Sequence, residues 1–260
     1  MLNFQKNISL EHSVNFLFYL FPISLMIGSS IVHINLYLFI ISCIFYIKAK
    51  NYKLNFSYSN RILICFFLSI IISSFINHFN AEWINTEGRN PWDTNWDMIT
   101  HGYFVNSILL LRFLILYLVL EILFVKNKIN IKKFFISCFL CVAFVSFDII
   151  IQYLFGYNLL GYKIIPAGIT SVFADEAIAG SFVQKLSLFG IFGALFFFNS
   201  NNKKILFFIT ILFLIGTLLA SNRISLFLLI FSLIVLFILN KKIRLTLLLS
   251  FIVFVGISQL

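Results

Sequence analysis

Apolar residues run in blocks of about 15 to 25 along nearly the whole chain, each closed by a short polar or basic stretch. About 20 apolar residues let a helix cross a hydrocarbon core of about 30 Å. The blocks lack the alternation of polar and apolar residues that marks the strands of an outer-membrane barrel. The pattern predicts helices over 13–29, 31–47, 61–77, 101–125, 134–155, 176–198, 205–220, 224–239 and 245–259. The expected fold is therefore an all-α, polytopic transmembrane helical bundle of about nine membrane segments, a single transmembrane domain over 1–260.

Composition agrees, with 61% hydrophobic and 11% charged residues, against roughly 25% charged in soluble domains. A net charge of +10 in a soluble protein would point to nucleic acid, but here the position of the charges matters more than their sum. Most of the 19 basic residues fall in alternate connections: Lys48, Lys50, Lys53 and Arg61, then KNKINIKK (126–133), NSNNKK (199–204) and NKKIR (240–244). Only Arg89 and Lys163 fall in clear loops on the other side. The positive-inside rule then predicts a cytoplasmic N-terminus and no nucleic-acid partner. Gly28-Ser29-Ser30 leads at once into a second apolar segment without an A-x-A site, so the first helix is expected to stay uncleaved.

Four cysteines, Cys43, Cys65, Cys138 and Cys141, map to the cytoplasmic halves of helices, where disulfides are not expected. Cys138 and Cys141 spell C-x-x-C inside an apolar helix without nearby His, which favours packing over redox or zinc chemistry. Two outer connections are longer than turns, 78–100 and 156–175, and such loops more often carry function. The first holds Trp83, Trp92 and Trp96, residues that anchor at headgroup level. If helical, it also places Asp93, Asp97 and His101 on one face, three ligands for a divalent cation without a supporting shell. No metal and no cofactor is predicted.

Ionisable groups at membrane depth are costly, about 3 kcal/mol for Arg or Lys at a helix centre, so each is a functional candidate. Arg112 lies about 16 Å along its predicted helix and Asp148 about 12 Å below the outer end of the next, so they can meet as a structural ion pair or flank a ligand. Glu121 falls on the face opposite Arg112 and about 13 Å away along the same helix. Gln152 sits one turn from Asp148, able to bind a ligand or to pack between helices. Asp175 and Glu176 are expected at a helix N-terminus, where the dipole favours carboxylates, with Lys185 about 14 Å inside and either snorkelling outward or facing a ligand. Gly190 and Ala194 would let another helix approach closely. In LLASNRISLFLLIF (218–231), Ser221-Asn222-Arg223 interrupts an apolar stretch too long for one span, which predicts a tight outer turn. Arg223 there can reach headgroup phosphates or grip a ligand phosphate bidentately.

Three stretches, FDIIIQYLFGYNLLGY (147–162), ITSVFADEAIAGSFVQKL (169–186) and TLLASNRISLFLLIF (217–231), resemble in their order the O-antigen ligase and polymerase superfamily of bacterial inner-membrane proteins. Asp148, Gln152, Tyr153 and Gly156 match an acidic residue and Gln followed by an aromatic, Gly-containing loop, and Arg223 matches a Ser-Arg position opening an apolar helix. Lys185 stands where relatives carry Arg, and Arg112 is a looser match. The chain departs from the pattern at Asn222, at Ala174 in place of a Gly, and in lacking the Arg of the second motif.

The resemblance implies transfer of a glycan from an undecaprenyl diphosphate carrier to a lipid A core sugar or a growing polysaccharide, at the periplasmic face of the bacterial inner membrane. Its partners would be a lipid-linked glycan donor, a glycan or lipid A core acceptor, and membrane lipids. Arg223, Lys185, Arg112, Asp148, Gln152, Asp175 and Glu176 are the expected substrate-binding residues, and the catalytic base is unassigned. Family ligases carry a large periplasmic loop with a His and further helices beyond the point where this sequence ends, so the resemblance also implies a truncated fold, inactive alone. Two other readings stay open: a polyprenol-linked saccharide exporter, and a non-catalytic membrane fragment.

Overall fold

The computed structural model describes residues 2–53, 57–84, 96–166, 168–174, 176–198, 203–241 and 243–258, with side chains at 2–9, 78–84, 96–104 and 257–258 outside the description. Among the described residues there are nine α-helices and no strands. They are α1 (Leu2–Ile27), α2 (Ser29–Ala49), α3 (Tyr58–Ile84), α4 (Trp96–Val125), α5 (Ile131–Phe155), α6 (Ala179–Phe197), α7 (Lys203–Leu219), α8 (Arg223–Leu239) and α9 (Arg244–Ser258). A single 3-10 turn lies at Ser171–Phe173.

The protein is a multi-pass membrane protein: α1 to α6 are each long and apolar enough to cross a bilayer. The helices α7 and α8 have 17 residues and α9 has 15, about 25 and 22 Å of rise. Each predicted helix is present in order, but several ends differ. At Leu2 and Trp96, α1 and α4 begin before their apolar runs, and α3 continues to Ile84 through the polar stretch NHFNAEWI. Hydropathy locates the lipid-facing part of a helix, whereas backbone hydrogen bonding continues past it.

By contact the chain divides into two compact units, Met1–Glu11 with Ile40–Ile129, and His12–Phe39 with Asn130–Leu260. In the first, α3 packs along α4. The fully buried Asn60 of α3 donates to Glu121 Oε2 of α4 at 2.6 Å. Glu11 accepts from the Tyr46 hydroxyl at 2.7 Å and lies 3.9 Å from the Lys128 ammonium. Glu121 thus has a polar partner in α3.

In the second unit α7 is central, packing on α5, α6, α8 and α9. The core joins Val142, Val145 and Ile149 of α5 with Val183 and Ile191 of α6 and Phe213 and Leu214 of α7. Hydroxyls inside this core bond carbonyls of their own helices: Ser187 to Gln184, Thr210 to Leu206 and Ser250 to Thr246. Lipid offers no water to satisfy them, so these back-bonds remove most of the burial cost.

Backbone approach is closest between α5 and α6. A Cβ on Gly193 would fall on the carbonyl of Phe135, and one on Gly190 would lie 3.2 Å from the Phe213 ring. Gly190 and Ala194 are both buried as expected, but the tightest contact is at Gly193. Cys138 and Cys141 are free thiols buried in α5. At the far end of α8, Arg244 donates to the carbonyls of Phe237 and Ile238, at 2.8 and 2.7 Å. It answers carbonyls that the last helical turn leaves without partners.

Candidate functional site

The candidate site lies where 156–178, the start of α6 and the α7–α8 turn come together in the second unit. α5 stops at Gly156, which takes φ 80° and returns its N–H to the Gln152 carbonyl. That left-handed cap carries no Cβ penalty in glycine. The chain beyond it is held by two isolated antiparallel bridges, Tyr157 with Lys163 and Ile165 with Gly168.

Side chains from inside α5 fix this loop from below. Asp148 and Gln152 are fully buried. Asp148 Oδ1 accepts the Leu159 N–H at 2.9 Å, and Oδ2 accepts the Ser171 hydroxyl at 2.6 Å and the Asn158 amide at 3.4 Å. Gln152 Oε1 accepts the Ser171 N–H at 2.6 Å, while its amide donates to the Tyr162 carbonyl at 3.2 Å and Thr170 Oγ1 at 3.5 Å. Asn158 Oδ1 in turn accepts from the N–H groups of Leu160 and Tyr162. Polar groups buried in low dielectric are costly singly and mutually supporting when each has a partner. These hydrogen bonds make Asp148 and Gln152 organisers of the loop.

The loop and α6 then lie on the α7–α8 turn. A Cβ on Gly168 would stand 3.6 Å from the Ala220 carbonyl oxygen and one on Gly180 3.0 Å from Ala220 Cβ and 3.2 Å from Asn222 Cβ. In the turn, Ser221 has φ 59° and Asn222 caps α8 by accepting the Ser225 N–H at 3.2 Å. Arg223 opens α8 and is exposed. A cation on the first helical residue opposes the helix dipole and costs a few tenths of a kcal/mol. Its charge does nothing for the helix, and with the free N–H groups of that end it offers positive potential to an anion.

A hollow of about 580 Å³ opens in the same unit between the α1–α2 turn and the loop. Ser29, Ser30, Tyr162, Phe173 and Glu176 are among the residues lining it, a mixture of hydroxyls, rings and one carboxyl able to hydrogen-bond and stack on a sugar. Two of the non-glycine residues with positive φ lie along this loop, Ser171 at 53° and Ala174 at 51°. Conformations of that kind persist where surrounding contacts enforce them and often mark functional segments.

The structure places the predicted residues as follows. Glu176 lines the hollow, but α6 begins at Ala179 with Ile178 as its N-cap, so Glu176 precedes the helix rather than lying in its first turn as expected. Ala174 has φ 51° and ψ −103°, and the turn leaving it delays the helix. Asp175 lies outside the described residues. Lys185 is exposed on α6, six residues from its start and hence about 9 Å along it. Arg112 is half-buried in the first unit, its guanidinium 5.0 Å from the Phe113 ring centroid. None of Arg112, Lys185 and Arg223 lines the hollow. Trp83, Trp92 and Trp96, with Asp93, Asp97 and His101, fall outside the described side chains. Among described residues no group of three His, Cys, Asp or Glu is placed to hold a metal ion.

Asn158, Thr170 and Ser171, which close the polar cluster, were not legible as a set, because no regular spacing links them to Asp148 and Gln152. The serines that open α2, Ser29 and Ser30, read only as part of the break after Gly28, although the run Gly28-Ser29-Ser30 between two apolar stretches does mark an exposed corner. No family model, curated protein or solved structure matches the chain.

Proposed function

We propose that the chain is an O-antigen ligase-like or polymerase-like protein of the bacterial inner membrane. In this reading it crosses nine times from a cytoplasmic N-terminus and works on a glycan carried by undecaprenyl diphosphate at the periplasmic face. The observation that carries the reading is that 217–231 meets the neighbouring stretches 147–162 and 169–186 in one unit. Asp148 bonds Ser171, and a Cβ on Gly180 would touch Asn222.

Arg223 would contact the diphosphate, with Lys185 as a point charge further along α6. The acceptor hydroxyl attacks the anomeric carbon, the bond from that carbon to the phosphate oxygen breaks, and the pair of electrons leaves with the carrier diphosphate, whose growing charge Arg223 stabilises. Glu176 is the one carboxyl among the described residues lining the hollow, and it is the candidate to take the acceptor proton.

Binding of a radiolabelled undecaprenyl diphosphate oligosaccharide to the chain reconstituted in proteoliposomes tests the reading. Arg223→Ala is expected to weaken binding about tenfold, with Arg223→Lys intermediate because the bidentate fork is lost while the charge remains. Equal binding by all three proteins, or none by the native one, would refute it.

A further inference from the structure

A second site lies in the first unit, at the level where two candidate spans end. A pocket of about 310 Å³ is lined by Tyr52, Lys53, Glu121, Val125 and Lys126, among others. The α2 span ends at Ala49 and the α4 span at Val125, so the pocket opens at headgroup depth. Its wall is fixed by the chain. Asn51 takes φ 50°, and the N–H groups of Asn51 and Tyr52 return to the carbonyls of Lys48 and Ile47.

The charges of this pocket are of both signs and ordered in depth. Glu121 lies one turn inside the end of α4 and is half-buried, with Oε2 held by the buried Asn60 amide. Lys53 and Lys126 are exposed, Lys126 with its ammonium 5.7 Å from the Tyr52 ring centroid. A simple anion entering here meets the Glu121 carboxyl, and a simple cation meets two ammonium groups. A zwitterion with its amine inward and its phosphate outward meets a partner at each end. An ionisable residue within a span calls for such a partner.

We propose that this pocket binds a phosphoethanolamine-type zwitterion, the headgroup of a membrane phospholipid, with the ammonium on Glu121 and the phosphate between Lys53 and Lys126. The proposal is independent of the glycan-transfer reading.

Native mass spectrometry of the delipidated full chain, titrated with phosphatidylethanolamine, phosphatidylcholine or phosphatidylglycerol, tests it. Phosphatidylethanolamine is expected to bind about tenfold tighter than either of the others, because phosphatidylcholine has no N–H to donate and phosphatidylglycerol has no cation. Glu121→Gln should bring phosphatidylethanolamine to within about twofold of phosphatidylglycerol. Should that variant fail to fold, Lys53→Gln with Lys126→Gln changes only exposed positions and is expected to weaken all three lipids several-fold. Equal affinities in the native chain, a preference that survives Glu121→Gln, lipid binding untouched by the lysine pair, or binding of free phosphoethanolamine but not of phosphatidylethanolamine would each overturn the proposal.

Discussion

Replacing Asp148 by Ala tests whether the buried polar cluster holds the loop. Two donors, the Leu159 N–H and the Ser171 hydroxyl, lose their acceptor at once, while the Asn158 amide loses a contact of 3.4 Å but keeps the Ser171 carbonyl. The Ser171 and Asn158 side chains are at most 2% exposed, so water replaces little of what is lost. A hydrogen bond is worth about 1 kcal/mol net, and a buried group left without a partner costs about 1–3 kcal/mol. The sum for the two donors left without an acceptor is about 2–4 kcal/mol, within the range of a broken buried network. Asp148→Asn keeps an acceptor for Leu159 but turns an amide donor toward the Asn158 amide, and is expected to cost about half as much. The assay is thermal stability in detergent, combined with limited proteolysis of 156–178. The loop should become cleavable in Asp148→Ala below the temperature at which the helices melt. An Asp148→Ala protein with native stability and a protected loop would refute the claim that these bonds hold the segment.

Two further substitutions test packing and backbone strain. Gly193→Ala puts a carbon onto the Phe135 carbonyl and should destabilise by about 1–3 kcal/mol through overpacking. In contrast, Gly256→Ala meets nothing within 4 Å and should be neutral or slightly stabilising, and equal melting shifts for the two in detergent would contradict the close α5–α6 contact. Ala174→Gly removes the Cβ from a residue at φ 51° and ψ −103°, and should stabilise by roughly 0.5–1 kcal/mol after the entropy of glycine is subtracted. A lower melting temperature for this variant would show the conformation to be unstrained.

What was legible in the sequence divides according to the range of the interaction. Helices declare themselves locally, since about 20 apolar residues in lipid have few alternatives to i to i−4 hydrogen bonding, and each of the nine predicted segments holds a helix among the described residues. Their ends are less legible: 176–178 carries a good helix former and an acidic residue, yet the strained turn at Ala174 delays α6 to Ala179. The polar cluster is less legible still, because Asp148 and Gln152 share a helical face that sequence reads easily, while their partners at 158, 170 and 171 are chosen by the path of a loop. A carboxyl and an amide on one face fit ligand binding and loop anchoring equally well from spacing alone, and only the identity of the donors separates the two. Arg223 stands differently. A cap residue precedes it, its charge opposes the dipole of its own helix, and it is exposed beside the segment that Asp148 and Gln152 hold. Neither the helix nor the core accounts for that cation, and because both Asp148 oxygens are taken by the loop, Asp148 would act on any ligand through the loop rather than by touching it.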